Sequence, residues 1–209
     1  ETNVRSRKRG CGGSGIRRGA CAGKRKREFN SLAEIVAHYI GNTRREAEEE
    51  LAYYGSCPSL AETIWRAANA IRPKDGKRHD HQRRIPGSAL ARLGRRLLVL
   101  EVNVQNSKSF ADLLGLVKDT SKDLMHIGEL VIYDTALRIG AKLSRYPEEV
   151  YLHAGTRKGA AVLGSDTTRE SIATTSLPSA FKDLKPYEIE DVLCIYKSDL
   201  QRLVRMGKL

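Results

Sequence analysis

The sequence predicts an all-α, multi-helix globular domain behind a disordered basic tail. Three observations predict it. Apolar residues recur at helical spacing in most segments after residue 30. Several of those segments open on Ser or Thr with an acidic residue three positions later, the pattern in which side chain and backbone cap one another. Strand-like alternation is weak, and is clearest in the single stretch LLVLEVNV. With 209 residues the chain is long enough to bury a core without disulfides or metals.

Charge divides the chain in two. Residues 1–29 hold ten Lys/Arg and two Glu, a net of +8 that leaves +4 of the total +12 for residues 30–209. The first segment mixes Gly with Arg and Lys and has almost no apolar content. It is expected to be disordered, because it buries too little surface to offset the entropy of ordering. The second, 30–209, is expected to be the helical domain. A basic arm releases counterions from a polyphosphate, which gives salt-sensitive, sequence-independent affinity.

No apolar run is long enough to cross a membrane, and the Arg/Gly-rich start lacks the apolar stretch of a secretory signal. Cys11, Cys21, Cys57 and Cys194 form no C-x-x-C pair, which argues against a disulfide framework and a zinc ribbon. A cytoplasmic or nucleoid-associated protein is expected, with no membrane contact and no cofactor.

Order begins at Ser31, which with Glu34 forms a capping box for SLAEIVAHYIG. Leu32, Ile35, Val36 and Tyr39 share one face. Thr43 and Glu46 open a second, highly charged helix that ends at Gly55. Ser59 and Glu62 open a third, with Leu60, Ile64, Ala67, Ala68 and Ile71 as its buried face, stopped by Arg72-Pro73. Lys74–Arg84 (KDGKRHDHQRR) is expected to be a polar surface loop. Residues 88–105 read as one helix, and Ser109 with Asp112 starts another. Glu129–Leu143 is apolar on two faces, as suits a central helix packed on both sides. A helical turn over EEVYLH, a loop HAGTRKGA and a short helix near LPSAFKDL follow. Pro186 then starts a final helix, faced by Ile189, Val192, Leu193, Tyr196, Leu200 and Leu203.

Several groups of residues point to chemistry. In Tyr151–Gly159, two glycines frame Thr156, Arg157 and Lys158, so backbone amides and two cations could hold a phosphate. The order is not that of a Walker loop. Arg83 and Arg84 extend the basic loop. His79, Asp80 and His81 stand together there, but neighbours on one loop rarely close a metal site, and no metal is expected. Trp65, Tyr53 and Tyr54 are expected in helix packing. Asp134 and Arg138 are spaced as an ordinary helical ion pair.

The stretch LMHIGELVIYDTALRI resembles the helix-hairpin-helix DNA-binding element. There a G-h-G turn presents amides at a helix N-terminus to a phosphate. Here the turn is His126-Ile127-Gly128, with histidine at the first glycine position, where left-handed backbone is costly for it. A longer resemblance, from about Met125 to Leu200, is to the helix-hairpin-helix DNA glycosylase superfamily. Tyr133-Asp134-Thr135 resembles its V-D-T segment, which implies that Asp134 would stabilise a cationic sugar or activate water. In that family roughly five helical turns separate hairpin and aspartate; here Gly128 and Asp134 lie six positions apart on one helix. Val131-Ile132 occupies the place of the family's lysine, and no four-cysteine cluster signature follows.

Three functions follow as expectations. The first is binding of nucleic acid, duplex DNA foremost, through His126, Gly128, Arg157, Lys158, Arg83 and Arg84. The second is a glycosylase- or lyase-like enzyme using Asp134. The third is a non-enzymatic RNA-associated module.

Overall fold

The computed structural model describes residues 28–209. The expected disordered tail lies outside these residues except for Glu28 and Phe29. Phe29 belongs to the core: it is buried, meets the rings of His38 and Tyr196 edge-on, and its carbonyl accepts from Arg202 at 3.1 Å. Folded chain therefore reaches at least to Phe29.

Ten α-helices make up most of the described residues, joined by 3-10 turns and one two-residue strand pair, so the all-α class holds. They are α1 (Leu32–Asn42), α2 (Arg44–Gly55), α3 (Leu60–Ala68), α4 (Gly87–Val99), α5 (Glu101–Asn106), α6 (Phe110–Ser121), α7 (Glu129–Leu143), α8 (Ala154–Val162), α9 (Pro186–Ile195) and α10 (Lys197–Arg205). None of the described helices is long and apolar enough to cross a membrane.

Capping chemistry sets several starts. Ser109 and Asp112 cap α6 reciprocally, each amide bonded to the other's side chain at 3.1 Å. Ser31 and Ser59 each accept from the amide three residues on. Their acids turn elsewhere, Glu34 to the Asn30 amide and Glu62 to Arg66. Thr43 makes no side-chain cap, and its helical dihedrals run α1 almost directly into α2.

Two apolar cores result. One gathers Tyr54, Ile64, Leu90, Leu93, Leu97, Leu113 and Ile139 from α2, α3, α4, α6 and α7. The other gathers Ile35, Tyr39, Val150, Phe181, Ile189, Leu193 and Leu203 from α1, β1 (Val150–Tyr151) and the last helices. The central helix is α7, which packs against α2, α3 and α6, as its two apolar faces require. Gly140 lets the chain return past it: a Cβ there would overlap the Arg145 carbonyl. Left-handed Ser144 (φ 56°) ends the helix.

Four elements differ from expectation. Residues 88–105 split at Leu100 into α4 and α5, which turns Val99 and Val102 out to solvent. The stretch EEVYLH contains β1, which pairs antiparallel with β2 (Ser171–Ile172), and is not helical. HAGTRKGA is α8, not a loop: Gly159 lies against the Leu193 backbone, where a Cβ would overlap the carbonyl. The final helix breaks at Tyr196, whose hydroxyl is 2.8 Å from His38 Nδ1.

The basic loop is also more than a surface connection. Ile71 and Arg78 bridge its neck, and a 3-10 turn at Asp80–Gln82 carries it back onto the fold. His79 and Gln82 are buried.

Candidate functional site

The central helix α7 starts at an exposed turn. The hairpin between α6 and α7 turns at His126, whose φ of 71° is left-handed. That is the costly conformation the glycine-less turn requires. Gly128 then N-caps α7 in extended backbone (φ −101°) and makes no side-chain cap bond. It is exposed, and a Cβ there would meet nothing within 4 Å. The first amides of α7 thus have no side-chain cap, and the macrodipole favours an anion at that end.

A cavity of about 230 Å³ lies beside this end. Lys118 of α6, Glu129 and Tyr133 of α7, Tyr151 of β1, and His153 and Arg157 of α8 line it. Lys118 pairs with Glu170 at 2.8 Å. Arg157 lies 3.8 Å from Glu129, the first residue of α7. Its guanidinium also donates to the carbonyls of Leu152, Thr167 and Arg169, so it ties the 165–170 segment to α8. Lys158 is exposed on the next position of α8. The Tyr133 hydroxyl is buried without a hydrogen-bond partner, and burial pushes its pKa well above the ordinary phenol.

Asp134 takes part in a different network. Its Oδ2 accepts from Gln82 Nε2 at 2.7 Å, meets His81 Nε2 at 2.9 Å and lies 3.7 Å from Arg138. Gln82 Oε1 in turn accepts from Arg138 at 3.3 Å, and Arg138 Nε donates to Glu50 at 3.0 Å. Burial opposes the charge on Asp134, but Arg138 and the His81 hydrogen bond outweigh it and hold the carboxyl below its ordinary range. Asp134 lines neither the cavity beside α7 nor a second one between α2 and Tyr187. The helical pair with Arg138 is present, in a buried setting.

The basic loop reaches the same helix. Asp134 sits six residues beyond Gly128, about 9 Å along the axis. Arg83 and Arg84 are both exposed next to Gln82, and Arg83 lies 3.3 Å from Asp80. His79 and His81 diverge to separate partners: His79 Nε2 lies 3.2 Å from Glu50 without hydrogen-bond geometry, and His81 meets Asp134. Burial, with Arg138 and His81, pushes His79 down to about 3, so it is neutral in the fold.

A third cluster lies where α8 meets α9. His153, the N-cap of α8, meets Glu190 through Nε2, and the Thr156 hydroxyl is 2.8 Å from the same nitrogen and 2.7 Å from Glu190. Burial works against a proton on His153, but Glu190 outweighs it and raises the pKa. Asp191 accepts from the Tyr39 hydroxyl at 2.9 Å, and burial plus the charge of Glu190 raise its pKa. Cys194 stands close by, its thiol pushed up to about 11 by burial and by Glu190.

No protein-family model, curated protein or solved structure matches this chain. Of the residues expected to form it, the fold brings His126, Gly128 and Arg157 to one end of α7, with Lys158 next along α8. Arg83 and Arg84 stand exposed on the loop that Gln82 fastens to Asp134 of the same helix. Sequence reading missed Tyr133, Glu190 and Cys194. The last two carried a signal, because an i,i+4 pair shares a helical face.

Proposed function

We propose that this protein binds nucleic acid, duplex DNA foremost, by docking backbone phosphates on the hairpin between α6 and α7. The observation that carries this reading is the turn itself. His126 holds left-handed backbone and thereby leaves exposed Gly128 and the first amides of α7 without a side-chain cap. Strained backbone persists where surrounding structure over-determines it, and it concentrates at functional positions. An anion is the natural partner of such amides.

Nearby cations support the same reading. Arg157 reaches the start of α7, and Lys158 projects from the adjoining helix. Arg83 and Arg84 are exposed on the loop that Gln82 fastens to α7, and the basic residues before Glu28 add further affinity. The Asp134 network is fully engaged with His81, Gln82 and Arg138, and its geometry favours anchoring the basic loop over proton transfer to a substrate.

Fluorescence anisotropy with a labelled duplex tests the proposal. Affinity is expected to fall linearly with log salt, with a slope of about −3 or steeper for several released counterions. Arg157→Ala with Lys158→Ala is expected to weaken binding and flatten the slope. Binding that ignores salt, or no binding, refutes the reading. Stronger competition by structured RNA than by duplex would make RNA the partner.

A further inference from the structure

We propose that His153, Glu190 and Cys194 form a binding site for a divalent ion of the zinc class. The three side chains each offer one ligand atom, and those atoms lie within 4.8 Å of one another. They come from the start of α8 and from α9, which pack against each other. His153 caps α8, while Glu190 and Cys194 are one turn apart on α9 and share a face.

The approach of the two helices is built for this grouping. Gly155 and Gly159, one turn apart on α8, both face α9. A Cβ at Gly155 would come within 2.5 Å of Cys194 Sγ, and one at Gly159 would overlap the Leu193 carbonyl. Two glycines thus allow the thiol to stand against the end of α8, beside the histidine that caps it.

The donor set chooses the ion. An imidazole nitrogen, a carboxylate oxygen and a thiolate sulfur are zinc ligands, and three of them leave one position for water. Magnesium and calcium prefer all-oxygen sites. Thr156 Oγ1 is hydrogen-bonded to both His153 and Glu190 and so adjoins the same point. On binding, the ion replaces the contact between His153 Nε2 and Glu190, and the proton held in that contact and the Cys194 thiol proton both leave to solvent. Burial strengthens the case. His153 and Glu190 are 4% and 6% exposed, and charges taken so far from water need strong compensation. Glu190, Asp134 and Glu129 all place negative potential on His153, a field that a cation answers.

The test uses the full chain carrying Cys11→Ser, Cys21→Ser and Cys57→Ser, so that Cys194 is the one remaining thiol. After chelation and dialysis under reductant, Zn²⁺ is titrated by calorimetry and Co²⁺ by absorbance. The expected result is about one equivalent bound, with a thiolate-to-cobalt charge-transfer band. Cys194→Ser should abolish that band, and Glu190→Gln should weaken Zn²⁺ binding about ten-fold or more, with the helical circular dichroism retained. X-ray absorption of the zinc-loaded background protein gives a readout that needs no further variant. One sulfur at about 2.3 Å with nitrogen or oxygen at about 2.0–2.2 Å is expected. A shell without sulfur, a band that survives Cys194→Ser, or no stoichiometric binding would overturn the proposal.

Discussion

Gln82 Nε2 donates to Asp134 Oδ2 at 2.7 Å, across 52 positions of sequence, and this bond fastens the basic loop to the central helix. The same amide accepts from Arg138 through its oxygen, so one neutral side chain joins both members of an ion pair whose arginine is buried. Loop position and helix electrostatics are therefore coupled.

Asp134→Ala is expected to destabilise the fold by about 1–3 kcal/mol, because it leaves the buried Gln82 amide without its acceptor while Arg138 keeps Glu50. Urea unfolding measures the loss. Limited trypsin digestion should at the same time cut faster within Lys77–Arg84. An unchanged midpoint together with an unchanged digestion rate would show that the network does not anchor the loop.

Two buried histidines should tilt the stability of the metal-free protein in opposite directions with pH. The folded pKa of His79 is about 3, against 6.5 for an ordinary histidine. Only the unfolded chain takes up that proton as pH falls below 6.5, so the His79 contribution drops there by up to about 1.4 kcal/mol per pH unit. His153 acts in the other direction, since its folded pKa is raised. Its contribution is fully present below 6.5 and is lost as pH rises through the folded value. Denaturant melts between pH 5 and 6.5 of the wild type and His79→Gln test the first limb: the variant should be the flatter. Parallel curves would contradict the buried, neutral His79.

Two glycines in helices should respond oppositely to alanine. Gly159→Ala forces a Cβ into the Leu193 carbonyl and should cost about 1–3 kcal/mol or more. Gly41→Ala meets nothing within 4 Å and should gain about 0.4–1 kcal/mol by restricting the unfolded chain. Thermal melts of the two variants give the comparison directly.

Much of this was legible in the chain. The centrality of α7 followed from its two apolar faces, and the serine caps marked the starts of α1, α3 and α6. The segment HAGTRKGA reads as a loop from sequence because Gly155 and Gly159 resemble loop punctuation. They are packing residues whose reason is another helix, α9, some thirty positions later in the sequence. Gln82 was unreadable for a related cause. A polar residue in a polar loop gives no sign of burial when its partners, Asp134 and Arg138, lie far along the chain. The cluster of His153, Glu190 and Cys194 is likewise made by helix packing, and only its α9 half has a local spacing.

His126→Gly should stabilise the protein by about 1 kcal/mol, since glycine takes left-handed backbone without the penalty a Cβ brings. If the hairpin docks phosphate through its amides, this variant should bind duplex DNA at least as tightly as the wild type. A loss of affinity would instead assign the contact to the imidazole.

The most direct measurement is duplex binding by a 28–209 fragment, with and without Gly128→Glu. Position 128 has extended backbone and open space around it, so the added carboxylate should not lower the melting temperature. Placed at the amides of α7, it should weaken binding about ten-fold or more, or about 1.4 kcal/mol. Equal affinity of the two fragments, or no binding by either, would contradict the hairpin as the phosphate site.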